Sequence, residues 1–137
     1  VLSLTQELTT SLEIERSMEK ALKESGSESV DYCAGAELGV DGLGKGRYLL
    51  FVEFIVPPKS AEDFEGAFDT ELREQNRVYK VHREGNVGIL PPKLMIMPEG
   101  TSRKFMTALG YVSVQTKFPR ILDERKVDVL RSLIRGH

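Results

Sequence analysis

Residues Arg47 to Val56 read RYLLFVEFIV, the longest nearly continuous apolar, aromatic and β-branched run in the chain. Ten residues is short for a membrane span, which needs roughly 20. A glycine-rich loop before the run and Pro57-Pro58 after it bound it as a buried strand rather than a buried helix segment. A sheet must therefore form around it. Its single acid, Glu53, reads as an edge or salt-bridged residue, with a catalytic carboxylate as the other reading. The loop before it, Gly39-Val40-Asp41-Gly42-Leu43-Gly44-Lys45-Gly46, has the GxxxxGK spacing of a phosphate loop. That chemistry needs Ser or Thr after the lysine and a helix whose N-terminus faces the phosphates. Gly46 and a strong strand occupy those places, so a hairpin with a glycine tip is expected instead.

The hairpin's other arm is Ser29 to Leu38, with Val30, Tyr32, Ala34, Ala36 and Leu38 at period two. Upstream, Val1, Leu2 and Leu4 suggest a short first strand. Thr10 with Glu13 makes a capping box for a helix whose apolar face carries Leu12 or Ile14, Met18, Ala21 and Leu22. Downstream, Ser60 with Asp63 starts a second helix, striped by Phe64, Phe68 and Leu72. Its dense acidic run, Glu62 to Glu74 with Asp69 among its members, reads as a solvated face. Arg77 to Gly88 alternates apolar and basic residues and reads as a short strand or polar loop. Its Arg77, Tyr79, Lys80, His82 and Arg83 form a cluster able to grip an anion. Lys93 to Met97 is a further strand, Thr101 caps a short helix to Leu109, Tyr111 to Arg120 resembles an edge strand broken by Pro119, and a last helix starts at Asp123.

The expected class is α+β. A mixed or antiparallel sheet has helices on one face, with a ferredoxin-like β-α-β-β-α-β core followed by helix, strand and helix. At 137 residues the chain fits one domain, and 40% hydrophobic and 29% charged residues are ordinary for a globular protein. A formal charge of -2 implies neither nucleic acid nor an anionic membrane as partner. Cys33, the lone cysteine, reads as a buried small residue, and with no apolar stretch near 18 residues the expected setting is the reducing cytoplasm. The opening VLSLTQ, without an initiator methionine, reads as a domain cut from a longer chain.

Several stretches resemble the C-terminal domain of the GH3 family, the acyl-acid amido synthetases of the adenylate-forming superfamily. They are Tyr48 to Phe54 (YLLFVEF), Leu72 to Arg83 (LREQNRVYKVHR), Gly88 to Gly100 (GILPPKLMIMPEG) with Thr101, and Gly110 to Arg120 (GYVSVQTKFPR). The last is the most specific, since the family writes Gln-Tyr-Lys-x-Pro-Arg where this chain has Gln115-Thr116-Lys117-Phe118-Pro119-Arg120. The resemblance implies that Lys117 reaches into the ATP and adenylate site of a large N-terminal domain of the same polypeptide. Arg120, Gln115, Tyr79 and Arg83 are the further nucleotide-binding candidates. The family commonly has Asp-Lys-Thr where this chain has Glu7-Leu8-Thr9, so that lysine is absent.

The implied chemistry is ATP-dependent adenylation of a carboxylate, followed by attack of an amine or amino acid to form an amide. ATP and Mg2+ would be held by the full-length enzyme, none by this domain alone, and no metal ligands are expected here. The chain itself would act as a mobile lid, inactive in isolation. The alternatives are a non-catalytic ferredoxin-like module binding a small anion or a protein, and an oligomerising structural domain.

Overall fold

Tyr48, Leu50 and Val52 point to one side of the strand they share, Leu49 and Phe51 to the other, and all five are fully buried. A strand buried on both faces needs a layer on each side. The computed structural model describes residues 1–40, 42, 44–111 and 116–136, and in it helices α1 (Ser11–Glu24) and α2 (Ala61–Gln75) cover one face. Ile14, Met18, Phe64, Phe68 and Leu72 form the core there with Tyr48, Leu50 and Val52. Helices α4 (Thr101–Ala108) and α5 (Glu124–Arg135) cover the other, where Phe105, Val127 and Leu130 pack on Cys33, Leu49 and Phe51.

The sheet is mixed and three-stranded, in the order β1 (Glu28–Glu37), β2 (Arg47–Val56), β3 (Lys93–Met97). The first two pair antiparallel, with Glu37 opposite Arg47 at the hairpin end, and β2 and β3 pair parallel from Leu49↔Lys93 to Glu53↔Met97. Gly39, Gly42 and Gly44 at the tip all have positive φ, the conformation a tight reversal asks of glycine. The glycine-lysine run is thus a hairpin tip, and no helix follows it.

The expected α+β class with a mixed sheet is what forms; four features differ in detail. The helices lie on both faces rather than one, because a single apolar layer would leave Leu49 and Phe51 in water. The first strand of the ferredoxin-like pattern does not form, and Leu2 makes only a two-bond bridge with Thr9. Instead the Glu7 carboxylate collects the N–H groups of Leu4 (2.7 Å) and Thr5 (2.6 Å), curling the segment on itself, with Gln6 and Leu8 at φ 70° and 50°. Arg77 to Arg83 is helix α3 rather than strand or loop, followed by a single 3-10 turn, Glu84–Asn86. Asn76 caps α3 by accepting from Tyr79 N (3.0 Å), and the inward positions are Tyr79 and Arg83, one turn apart. Finally, α4 has Gly100, not Thr101, at its cap position.

Candidate functional site

Lys117 is exposed and leaves the body of the protein on a turn that is pinned on its C-terminal side. Phe118 is half-buried and its ring lies 6.0 Å from that of Phe105 on α4. Pro119 then fixes the backbone, and Arg120 fastens the chain to β1. Its carbonyl accepts from Ala34 N (2.8 Å) and Leu122 N donates to Ala34 O (2.9 Å), so Ile121 makes a parallel bridge on the outer edge of β1. That bridge also covers an otherwise open strand edge.

The Arg120 side chain is held by α1 and β1 through Nη1, Nε and one face of its guanidinium. Nη1 donates to Asp31 Oδ1 (3.0 Å) and to the Tyr32 carbonyl (2.9 Å), Nε lies 3.6 Å from Glu15 Oε1, and the guanidinium carbon stands 4.0 Å over the Tyr32 ring. Tyr32 in turn donates to Glu19 Oε1 (3.0 Å), which ties this anchor to α1. Gln115 lies outside the described residues, as do 112–114 of the edge strand expected over Tyr111 to Arg120; residues 116 to 120 form no strand.

Tyr79 and Arg83 stand elsewhere, on the inner side of α3. Tyr79 is fully buried and donates to Asp69 Oδ1 (2.6 Å), while Arg83 holds both carboxylate oxygens of Asp69 at 2.8 Å. Asp69, which the acidic run of α2 placed on the solvent face, is thus the buried acceptor of this group. Burial alone would lower the pKa of Arg83, but its bonds and charge pairing with Asp69 leave it raised. Burial also pushes the Tyr79 phenol up, with the Asp69 charge adding to it. The two residues are therefore paired internally and present no open anion grip.

A second buried polar group had no signature in the local sequence. Asn76 Nδ2 donates to Thr9 Oγ1 (3.3 Å) and to the Glu7 carbonyl (2.8 Å), and Thr9 meets Tyr48 Oη at 2.7 Å. Tyr48 Oη donates to Glu7 Oε2, also at 2.7 Å. Burial by itself raises the pKa of Glu7, yet the Thr5 N–H, the Tyr48 hydroxyl and the Leu4 N–H outweigh it and leave it lowered. Tyr48 and Asn76 lie about 40 and 70 positions downstream of Glu7, so only the folded chain brings them together. At the far end of β2, Glu53 is 4% exposed and accepts from Ser102 N (2.8 Å) and Gly100 N (3.1 Å), which makes it the cap that α4 lacks locally.

Cys33 is fully buried, and burial pushes its thiol well above the usual range. Among the described residues no three His, Cys, Asp or Glu side chains converge on a metal position, and no helix is long and apolar enough to cross a membrane. A cleft of about 510 Å³ lies between the N-terminal segment and α5, and one of about 550 Å³ beside Arg73, Arg77 and Lys80; neither is lined by Lys117. Among the described residues 116–120, Lys117 offers an exposed ammonium group on a turn fastened through Phe118 and Arg120.

Residues 12–126 match the model of the GH3 family C-terminal domain. No curated protein sequence matches the chain. Among solved structures, the AtGH3.15 acyl acid amido synthetase in complex with 2,4-DB superposes with a TM-score of 0.75 at 20% identity, over 98% of this chain. A second structure of a GH3.15 acyl acid amido synthetase gives 0.75 at 17% identity, again over 98%. At these identities the likeness is one of fold. The chain spans 25% and 26% of those two chains.

Proposed function

From the premise that the chain belongs to the GH3 family, as its C-terminal domain, we propose that it is the mobile domain of an ATP-dependent acyl-acid amido synthetase. The full enzyme would activate a carboxylate by adenylation and pass the acyl group to an amine or amino acid. The observation that carries the reading is Lys117, exposed on a turn fastened through Phe118 and Arg120, at the position where the family resemblance places a nucleotide-contacting lysine.

The described residues fit a limited share of that task. Tyr79 and Arg83 are paired with Asp69 and Arg120 is held by Asp31, Glu15 and Tyr32, so among the described candidates Lys117 is the exposed one that could meet phosphate oxygens. ATP and Mg2+ would be held by the large N-terminal domain, where ATP would supply the adenylyl group and its α–β phosphoanhydride the bond that breaks as pyrophosphate leaves. Lys117 would place a positive charge where negative charge develops on the phosphates, a role that rewards fixed placement over flexibility. The β1 edge, the Phe105 face and Pro119 supply that fixity. As the domain swings between the two half-reactions, the same rigid mount would deliver the charge and withdraw it. The site is cytoplasmic in this reading.

The test is ATP–pyrophosphate exchange in the full-length enzyme. Lys117→Ala should slow exchange by roughly 100-fold while the thermal midpoint holds. Exchange at the wild-type rate would remove Lys117 from the mechanism. Calorimetry of this chain alone with ATP should show no micromolar binding; tight binding would favour a free-standing anion-binding module instead.

A further inference from the structure

We infer that Arg120 is a positioning residue for Lys117 and not itself a contact to the nucleotide, an inference that rests on the Lys117 reading above. A guanidinium that swings out to a phosphate would not be held by ion pairs to carboxylates of its own domain. Here Asp31 lies 3.0 Å from Nη1 and Glu15 3.6 Å from Nε, the Tyr32 carbonyl takes a further bond at 2.9 Å, and the Tyr32 ring covers a face at 4.0 Å. Swinging the guanidinium away from β1 toward a phosphate would break two ion pairs and uncover the ring. Instead the side chain joins three residues from two elements, α1 and β1, to the turn that bears Lys117.

The geometry also says why the anchor is an arginine. One planar fork can face Asp31, Glu15 and a carbonyl while stacking on an aromatic ring; a lysine ammonium, a point charge on a flexible stem, can hold one of these at a time. Phe118 secures the turn to α4, on the opposite face of the sheet from α1. Lys117 therefore departs from a chain fastened to both helical layers, and loosening the Arg120 side lets it swing. Misplacement by about an ångström is enough to cost catalysis heavily.

The experiment is a double-mutant cycle in the full-length enzyme with Arg120→Lys, Lys117→Ala and the pair, read by ATP–pyrophosphate exchange. Arg120→Lys should lower kcat about tenfold with KM for ATP unchanged, since it keeps the charge and loses the aim. Added to Lys117→Ala it should change nothing further, because a residue acting only through Lys117 has no effect once Lys117 is gone. A merely structural role would instead multiply the two losses. Asp31→Asn, which leaves Arg120 in place, should reproduce the kcat loss and the non-additivity, and it serves where Arg120→Lys lowers the thermal midpoint. A raised KM with kcat intact, multiplying effects, or wild-type rates for both Arg120→Lys and Asp31→Asn would each overturn the inference. Lys117→Ala exchanging at the wild-type rate would overturn the functional reading itself, so the two failures are distinguishable.

Discussion

Glu53→Gln isolates a single role for a residue that looked ambiguous in the strand. Helix α4 begins after Gly100, which sits at φ 87° and has no side chain to cap with, so its first N–H groups need an acceptor from outside the helix. Glu53 supplies both carboxylate oxygens, at 2.8 Å to Ser102 N and 3.1 Å to Gly100 N. A hydrogen bond to a charged acceptor contributes about 1.5–3 kcal/mol and a neutral one about 0.5–1.5. Glutamine keeps one acceptor oxygen, turns an NH2 toward the other N–H and removes a negative charge from the helix N-terminus, itself about 0.5 kcal/mol. The expected loss is about 2 kcal/mol at pH 7, or roughly 6 °C in thermal midpoint for a domain of this size. The pH dependence follows from the same contacts. Burial raises the Glu53 pKa, but the N–H groups of Ser102 and Gly100 outweigh it, so it lies below its ordinary 4.5. A carboxylate with a lowered folded-state pKa stabilises fully above its unfolded value and loses that contribution as pH falls through the folded one. The gap between wild type and Glu53→Gln should therefore be complete at neutral pH, begin to narrow as pH falls below the ordinary carboxylate value, and close as pH falls through the lower folded-state pKa. Glu7 and Glu37 are also lowered, but they are common to both proteins and cancel in the difference. Urea denaturation across this pH range is the assay. Equal stability at pH 7, or a gap that persists unchanged in acid, would refute the capping argument.

Two further perturbations test the interior. Asp69→Asn leaves Arg83, whose side chain is 10% exposed, without its buried counter-charge, and should cost about 3 kcal/mol in urea denaturation; an unchanged midpoint would contradict a buried pair. Gly35→Ala places a methyl against Val127 Cγ2 between β1 and α5, an overpacking that should destabilise by about 1–3 kcal/mol. Pairing it with Val127→Ala should recover part of that loss, and strict additivity of the two changes would rule out the clash.

Local pattern carried most of the scaffold. The run from Arg47 to Val56 is β2 to the residue, Lys93 to Met97 is β3, and the caps at Thr10, Ser60 and Asp123 all form where side-chain oxygens precede an apolar stripe. These features are local, set by residues within a turn or a strand of one another. Lys117 and Arg120 were likewise legible as a motif, though not which of the two is free.

Tertiary structure decided what depends on partners remote in the chain. Arg77 to Arg83 alternates like a strand but is a helix, because Asn76 caps it and Tyr79 and Arg83 find Asp69 inside. Glu53 and Asp69 looked alike as acids in a pattern, and only packing made one a cap and the other a buried counter-charge. Arg120 needed Asp31 and Glu15, about 90 and 105 positions away, to become an anchor. Charged side chains carry no local signal of what they will meet. Periodicity sets where the backbone can go, and burial then fixes which polar groups must be paired and which, like Lys117, stay free.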